Sequence, residues 1–390
     1  MTQFNRRTFL GSSAAITGTL AAAGALQTPV AAANTAGTLA GTTPVYGPAS
    51  GVAKLNANEN PYGPSKAALV QMYEASKMGA YYVGDSVATL KSMIAERNNV
   101  TPEHISLSSG SSGVLAYLAV AVSQQGKMLG PDLFWDTTAK VGVRQGGEIK
   151  RLPKTDDLGI DLDAMYAAIT PDVALAHVTN PNNPTGSVLD TEELQTFCKK
   201  ASKKTKVLLD EAYNELTDDP EANSMVGLIN DGYDVLVART FSKIYGLAGM
   251  RVGYMIASPE NIELINRYGL GDYAMNQAGV AAAVASYNDW GFLEMSKSKI
   301  LEARQMIEAA LKTNGLSALP SETSFLLVNL GELDAEIFRE KMAEQNVLIR
   351  GIYRDYTSWS RVSMGKLDAV QMYVDALPKA LEETHKAMRA

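Results

Sequence analysis

The segment TFSKIYGLAGMRVGY, residues 240–254, holds one lysine and one arginine, Lys243 and Arg251, in an otherwise apolar run. A lysine amine can form a Schiff base with a carbonyl compound, and a guanidinium binds phosphate or carboxylate groups. The glycines of GLAG let the backbone turn between the two side chains. The pair could therefore hold the two ends of one small molecule.

Three short apolar runs are spaced so that they could position such a pair. Helical or loop segments separate them, a pattern typical of parallel strands joined by crossovers. The runs are VALAHVT (173–179), KVLLDEA (206–212) and DVLVART (234–240). This spacing predicts an α/β fold with a mostly parallel sheet.

Polar residues follow each of these runs. In an open parallel sheet the ligand crevice lies at the carboxyl ends of the strands, so we expect Asn183, Asp210, Tyr213 and Lys243 to converge there. A carboxylate that faces a pyridine nitrogen keeps that nitrogen protonated, while asparagine and tyrosine suit a phenolic oxygen. With the lysine, this set indicates pyridoxal 5'-phosphate (PLP) as the cofactor.

A phosphate site for that cofactor is predicted where SLSSGSSGVLAYLAVAV, residues 106–122, passes from a Ser/Gly turn into an apolar helical run. The amides and hydroxyls around Ser111, Ser112 and Gly113 could hold a dianion at the helix N-terminus. Taken alone, such a turn is usually only a helix cap. Its weight comes from the other residues of the predicted site.

Five motifs carry a resemblance to a known family: LNANENPYGPS (55–65), NPNNPTG (180–186), DEAY (210–213), TFSKIYGLAGMRVG (240–253) and SRVSMG (360–365). From about residue 54 onward the chain resembles the fold-type I, class I/II aminotransferases, and within them the histidinol-phosphate aminotransferase branch. The resemblance implies the type I PLP-dependent transferase fold. It implies a large PLP-binding domain, residues 78–277, with a seven-stranded, mostly parallel sheet, and a smaller α+β domain from residues 54–77 and 278–390.

The resemblance also implies a role for each matching cofactor residue. Lys243 matches the lysine that bonds the cofactor and moves the substrate proton, and Asp210 matches the partner of the pyridine nitrogen. Asn183 and Tyr213 match the partners of the ring hydroxyl. Arg251 matches the phosphate-binding arginine, to which Ser242 or Thr240 adds a hydroxyl.

Other matching residues concern the substrate and a second chain. Arg361 matches the arginine that binds the substrate carboxylate, and Arg350 matches a position that binds the substrate's own phosphate in the histidinol-phosphate branch. Asn60 and Tyr62 would lie on the small-domain side of the same pocket. Tyr82, with Tyr81 as its competitor, matches a tyrosine that reaches the partner's phosphate, which implies a homodimer with shared active sites.

The chain departs from the family pattern in three places. Ser112 and Gly113 stand where the branch has Asp or Asn followed by Glu. The residue that stacks on the cofactor ring is Trp135 or Phe134, because LFW replaces the usual run. After Arg350 the expected proline is Gly351, and IYRDYTSW replaces the usual loop. Substrate identity is the part of the resemblance that these departures affect most.

The reaction that the resemblance implies is transfer of an amino group between an amino acid, or an amine like histidinol phosphate, and a 2-oxo acid. It would proceed by a ping-pong mechanism through a Schiff base on Lys243. Decarboxylases, lyases and racemases use the same fold and lysine, so such an enzyme is a second hypothesis. A non-catalytic cofactor-binding protein is a third. Retention of Lys243, Asp210 and Arg361 disfavours that third hypothesis.

The N-terminal region predicts export. Arg6 and Arg7 precede a modestly apolar, Ala/Gly-rich segment, and small residues end near position 33, the layout of a twin-arginine signal peptide over residues 1–33. Residues 34–53 are rich in Gly, Thr, Pro and Ala and are predicted to be a linker and N-terminal arm. A periplasmic location follows from this interpretation, with no membrane attachment after cleavage.

Composition limits the remaining function classes. The 390 residues carry a formal net charge of −7, which argues against a nucleic-acid-binding face. The three histidines are scattered and lack metal-ligand spacing, so no metal site is expected. Asp132 and Asp136 lie near the predicted site in sequence, and the sequence assigns them no role.

Overall fold

The computed structural model of the chain describes residues 46–389. The predicted export signal and most of the predicted arm lie outside the described residues. In chain order the strands are β1 (Ala53–Leu55), β2 (Ile105–Ser109), β3 (Lys127–Pro131), β4 (Ile149–Leu152), β5 (Val173–Thr179), β6 (Lys206–Asp210), β7 (Val235–Thr240), β8 (Val252–Ile256), β9 (Ser317–Ala318), β10 (Phe325–Asn329), β11 (Val347–Ile349) and β12 (Trp359–Ser363).

Helices connect most of these strands. They are α1 (Lys66–Ser76), α2 (Asp85–Arg97), α3 (Ser111–Ser123), α4 (Thr137–Arg144), α5 (Leu162–Ala167), α6 (Thr191–Ala201), α7 (Gly227–Asn230), α8 (Pro259–Asn266), α9 (Gln277–Tyr287), α10 (Trp290–Thr313), α11 (Ala335–Glu344) and α12 (Leu367–Arg389). Several begin at a side-chain cap, as α6 does, where the Asp190 carboxylate accepts hydrogen bonds from two backbone N–H groups.

Seven strands form the central sheet in the order β2-β8-β7-β6-β5-β3-β4. Strands β7, β6, β5, β3 and β4 pair in parallel, and β8 pairs antiparallel with both β2 and β7. The predicted α/β class and mostly parallel seven-stranded sheet are confirmed.

The sequence explains why the middle of the sheet is parallel. Every residue of β7 is buried, as is nearly every residue of β5 and β6, because helices cover both faces of the sheet. Strands buried on both faces are expected to be continuously apolar rather than alternating. The three runs recognised in the sequence are therefore adjacent central strands, and their carboxyl ends lie at one edge.

Two smaller sheets complete the strand pairing. Strands β12, β10 and β9 pair antiparallel, and β1 pairs in parallel with β11. All seven central strands fall within residues 78–277 and both smaller sheets fall outside that range. The domain boundaries themselves stay a prediction.

Residues 46–389 lack two kinds of feature. None of their helices is both long enough and apolar enough to cross a membrane. Within the same range, no cluster of three or more histidine, cysteine or acidic side chains is arranged to hold a metal ion.

Candidate active site

A cavity of about 260 Å³ lies at the carboxyl ends of β5, β6 and β7. Its walls come from segments far apart in the chain, which the parallel sheet brings to one edge. The sequence-predicted residues that line it are Ser111, Ser112, Trp135, Asn183, Asp210, Tyr213, Thr240, Ser242, Lys243 and Arg251. We call this space the first cavity.

Lys243 follows β7 by three residues and is half-buried. Its Nζ donates a hydrogen bond to the backbone carbonyl of Asn58 at 3.2 Å and lies 5.2 Å from the centre of the Tyr213 ring. No acidic side chain forms an ion pair with this amine among residues 46–389. The amine therefore faces the cavity with only one neutral partner.

Asp210 is the last residue of β6 and is buried at the base of the cavity. One of its oxygens accepts a hydrogen bond from the Ala212 N–H at 3.2 Å. Burial raises the pKa of Asp210 to about 6, against the lowering effects of that hydrogen bond and of the positive charge on Lys243. A cationic N–H partner would stabilise the ionised form of this buried carboxylate, because the attraction offsets the cost of desolvation.

Another part of the cavity wall, around Arg251, can bind an anion. Arg251 adopts a left-handed backbone conformation, with φ of 54°, and its Nη1 donates to Ser242 Oγ at 3.3 Å and to the Ala248 carbonyl at 2.9 Å. Gly110 has a φ of 72°, which disfavours any side chain, and a Cβ there would also displace the Arg251 guanidinium. Helix α3 begins at the next residue and directs its N-terminal amides to the same place.

Gly113 differs from its neighbours Ser111 and Ser112 because it does not line the cavity. Its N–H donates to the Gly110 carbonyl, and a Cβ at this position would lie 2.6 Å from the Cβ of Ser108. Close packing of α3 against β2 therefore requires glycine here. This packing role is separate from the predicted contribution of Gly113 to phosphate binding, which stays a prediction.

A second cavity, of about 400 Å³, adjoins the first. Lys243, Trp135, Asn183 and Tyr213 line both spaces, so Lys243 stands at their junction. Phe134 lines only the second cavity, and its ring packs edge-on against His177 in the core, 5.1 Å between centres. Of the two candidates for the stacking position, only Trp135 therefore reaches the first cavity.

Arg361 and Arg350 lie in the walls of the second cavity. Arg361 is buried in β12, where its Nη1 donates to Asn183 Oδ1 at 2.9 Å and to the Tyr353 hydroxyl. Burial is the main cause that lowers the pKa of its guanidinium. Arg350 is exposed, and neither arginine forms an ion pair within the described part of the chain.

The model of the class I and II aminotransferase family matches residues 50–377 of this chain. This match spans the residues that line both cavities. The chain belongs to the class I and II aminotransferases. It is accordingly a PLP-dependent aminotransferase.

Individual relatives agree with this assignment. The aminotransferase is 34% identical over 337 residues to histidinol-phosphate aminotransferase 1 of Cupriavidus pinatubonensis, covering 85% of this chain and 89% of the relative. It is 35% identical to histidinol-phosphate aminotransferase 2 of Ralstonia nicotianae, covering 87% and 91% of the two chains. Among solved structures, it resembles histidinol-phosphate aminotransferase from Sinorhizobium meliloti in complex with PLP, at 29% identity, coverage of 85% and 91%, and a TM-score of 0.79.

The first cavity of the aminotransferase fits PLP by its own chemistry. Asp210 supplies a buried carboxylate for a protonated ring nitrogen, and Lys243 supplies the amine. Arg251, the start of α3 and the space kept open by Gly110 suit a phosphate. Asn183 and Tyr213 line the same cavity, and their neutral polar groups suit a ring hydroxyl.

Asn58 is a residue of the aminotransferase site that sequence reasoning missed. It lines both cavities and is buried, with its Nδ2 donating to the Tyr213 hydroxyl at 2.7 Å and its Oδ1 accepting from Ser363 Oγ at 2.6 Å. The motif LNANENPYGPS contained it, although only Asn60 and Tyr62 were selected from that motif. A buried asparagine between two asparagines gives no signal of which one faces the site.

Asp132 was also missed as a partner within the site. It follows β3 and lines the second cavity, where Arg354 Nη1 donates to its Oδ1 at 2.6 Å and the Tyr356 hydroxyl donates to its Oδ2 at 2.5 Å. Burial acts to raise the pKa of Asp132, but these hydrogen bonds and the Arg354 charge lower it overall. These contacts hold the segment 350–358 beside the cavity. No pattern in the sequence predicts them.

Besides Gly113, three predicted residues lie outside both cavity walls. Asn60 is buried, and its Nδ2 donates to the Ile244 carbonyl at 2.6 Å and to Ser296 Oγ at 2.9 Å, so its side chain joins the lysine loop to α10. Tyr62 is partly buried and lines neither cavity. Tyr82 is 80% exposed and packs edge-on against Tyr273, with Tyr81 beside it 69% exposed.

Proposed function

We propose that this aminotransferase exchanges amino groups between a donor that carries an anionic group and a 2-oxo acid, with Lys243 as the residue that moves the proton. One observation carries the proposal: Lys243 lines both cavities and stands where they meet. An amine at that junction can reach the cofactor on one side and the substrate on the other. General acid–base catalysis requires the catalytic group to lie within hydrogen-bonding distance of the proton that it moves.

The residues of the first cavity would hold PLP and set its charge. When bound, PLP supplies an electron-withdrawing ring that accepts charge from the substrate α-carbon. Asp210 would keep its carboxylate against the ring nitrogen, while Asn183 and Tyr213 would bind the ring hydroxyl. Arg251 and the amides of Ser111 and Ser112 would hold the phosphate. Lys243 would remove the proton from the substrate α-carbon.

The second cavity supports an anionic substrate. Arg361 lies deep in it and Arg350 lies near its opening, and neither has an acidic partner among residues 46–389. Lys140 and Arg354 also line this cavity, but Asp136 and Asp132 neutralise them. Arg361 would bind the group nearest the amine, with Arg350 free for a second anionic group such as a phosphate. Histidinol phosphate, the substrate in the relatives' names, carries a single anionic group, a phosphate in place of an α-carboxylate, and Arg350 would bind that phosphate.

A donor comparison tests this substrate assignment. Amino acids with one carboxylate, amino acids with two, and histidinol phosphate would each be assayed with 2-oxoglutarate, using the wild-type protein and Arg350→Ala. We expect Arg350→Ala to raise KM for histidinol phosphate and for amino acids with two carboxylates, but not for amino acids with one. An equal rise in KM for donors with a single carboxylate would contradict the assignment of Arg350.

Homodimerisation with shared sites is the second part of the proposal. Tyr82 packs against Tyr273, and both rings are largely exposed, as is Leu270 three residues before Tyr273. Exposed large apolar side chains of this kind favour contact with a second protein surface. Mixing two inactive variants would test the sharing of residues. We expect Tyr82→Ala and Lys243→Ala to restore activity together after subunit exchange, because one mixed site would contain both intact residues. No recovery in a mixed dimer would contradict a shared site.

Export by the twin-arginine route to the periplasm is the third part. The support is the sequence around Arg6 and Arg7, which precedes an apolar segment and small residues. Cell fractionation of the wild-type chain and of Arg6→Lys/Arg7→Lys would test it. We expect the wild-type protein in the periplasm with a shortened N-terminus and the variant in the cytoplasm. The same location for both proteins would contradict this route.

A further inference from the structure

A chain of hydrogen bonds leads from β12 to the first cavity through Asn58. The Ser363 hydroxyl donates to Asn58 Oδ1 at 2.6 Å, and Asn58 Nδ2 donates to the Tyr213 hydroxyl oxygen at 2.7 Å. Ser363, Asn58 and Tyr213 are all buried, with 0%, 6% and 3% of their surfaces exposed. Water therefore competes poorly for these hydrogen bonds. Which atom of each bond is the donor then determines which hydrogens remain available to a ligand.

The direction of this chain decides what the Tyr213 hydroxyl can do. A hydroxyl has one hydrogen to donate and lone pairs to accept. Because Asn58 Nδ2 already donates to the Tyr213 oxygen, the tyrosine hydrogen is free to point elsewhere, and Tyr213 lines the first cavity. The reverse amide orientation would make the tyrosine donate to Asn58 and would remove its hydrogen from the cavity.

We propose that Asn58, held by Ser363, is a positioning residue that directs the Tyr213 hydroxyl hydrogen toward the ring hydroxyl oxygen of the bound cofactor. This inference rests on the proposed function, in which Tyr213 binds that oxygen. Asn58 acts through Tyr213 and through its own backbone carbonyl, which accepts from Lys243 Nζ at 3.2 Å. Asn58 thus orients Tyr213, which is a proposed partner of the ring, and also contacts the reacting amine of Lys243 directly.

The position of Ser363 connects this chain to the substrate side. Ser363 and Arg361 are two residues apart on β12, so their side chains lie on the same face of the strand. Arg361 donates to Asn183, the other proposed partner of the ring hydroxyl. Both proposed partners of that oxygen are therefore fastened to the strand that carries the substrate arginine.

A pH titration of the cofactor absorbance in the holoenzyme, without any amine substrate, tests the inference. A hydrogen bond donated to the ring oxygen stabilises its anionic form, so loss of that donor raises the pH midpoint of the absorbance change. The titratable groups facing Tyr213 are Lys243, Arg361 and Tyr353, and all three are retained in every variant below. We expect Tyr213→Phe to raise the midpoint by about 1 pH unit.

The decisive variants change Asn58 and Ser363. Asn58→Leu removes the donor without adding charge, and Asn58→Asp reverses the bond so that Tyr213 must donate to the new carboxylate. We expect both to raise the midpoint by about 0.5 to 1 pH unit, with a smaller rise for Ser363→Ala. Ser324→Ala is the matched control, since Ser324 is also buried and its Oγ has no partner in the structure; it should leave the midpoint unchanged.

A double-variant comparison separates positioning from general disturbance. If Asn58 acts through Tyr213, Asn58→Leu produces no further rise in a Tyr213→Phe background. A full additional rise there, or no rise from Asn58→Leu and Ser363→Ala in the wild-type background, overturns the inference. Ser363→Ala removes a single hydroxyl and keeps the test available if the Asn58 variants do not fold. An unchanged midpoint in Tyr213→Phe contradicts the proposed role of Tyr213 itself. A rise in Tyr213→Phe without a rise in the Asn58 and Ser363 variants contradicts only the role of Asn58.

Discussion

The two cavities of this aminotransferase are built in different ways. The first is formed mainly where strands end and helix α3 begins, and its side chains come from short motifs next to buried strands. The outer wall of the second is formed by the segments 132–137 and 350–358, which Asp132, Arg354 and Tyr356 join by side-chain contacts. Under the proposed function, the residues of the chemical step come from the central sheet, whereas joined loops contribute to substrate choice together with Arg361 on β12.

The largest expected effect falls on the residue that belongs to both cavities. Lys243→Ala should lower kcat by about 10⁴-fold, the upper range for a positioned general acid–base group. The measurement is steady-state transamination at saturating PLP, with exposed Lys203→Ala as the control. Activity within tenfold of wild type would mean that another group moves the proton.

Asp210→Asn should separate function from stability in the first cavity. We expect kcat to fall by about 10²- to 10³-fold, because a charge aimed at the reacting system is lost. Protein freed of cofactor should instead become more stable at pH 8, by up to about 3 kcal/mol, since a buried carboxyl with a pKa of about 6 rather than 3.8 no longer has to ionise.

The pH dependence of this gain in stability tests whether ionisation of Asp210 is its cause. The raised pKa of Asp210 stabilises the wild-type fold fully below its unfolded value of 3.8, and this contribution is lost as the pH rises through about 6. The advantage of Asp210→Asn should therefore vanish near pH 4 and be complete above pH 6. Urea unfolding at several pH values measures it, and an advantage independent of pH would contradict the explanation.

Arg361→Lys probes the boundary between the two cavities. Lysine keeps the charge but loses the planar set of donors that reaches Asn183 and Tyr353. We expect kcat/KM for the amino donor to fall by about 10- to 100-fold, as for the loss of a charge-assisted hydrogen bond, with PLP affinity nearly unchanged. Equal losses in PLP affinity and kcat/KM would show that the cavities do not act separately.

The smallest effect is expected at the joined loops. Asp132→Asn should raise KM for the donor by about 3- to 10-fold while kcat stays close to wild type, because the segment 350–358 loses its charged anchor. Exposed Asp156→Asn is the control. A fall in kcat without a change in KM would place Asp132 in the chemical step and blur the distinction between the cavities.

The same distinction explains what the sequence predicts. The convergence of Asn183, Asp210, Tyr213 and Lys243 follows from strand ends, since buried apolar runs identify the strands and parallel pairing brings their ends together. Arg251 and the start of α3 follow from the glycine-rich turns. These features depend on local patterns that a single sequence contains.

The rest of the site depends on contacts without a local pattern. Asn58 and Ser363 are 305 residues apart, and Asp132 and Tyr356 are 224 apart, so nothing in either neighbourhood indicates the other. The Ser/Gly turn predicts Gly113 for phosphate binding, whereas its packing role, which lets α3 approach Ser108, becomes visible only in the fold. Asn60 and Asn58 occur in one motif, and only the fold distinguishes the one that faces the cavities.

The central claim is amino-group transfer through Lys243 at the junction of the cavities. Its most direct test is to mix the PLP-loaded enzyme with an accepted donor in the absence of any 2-oxo acid and to count products per active site. The account predicts one equivalent of oxo product per site, then transfer of the retained amino group to a 2-oxo acid added later, and neither event in Lys243→Ala. Continuous release of carbon dioxide, ammonia or racemised donor under the same conditions would contradict it.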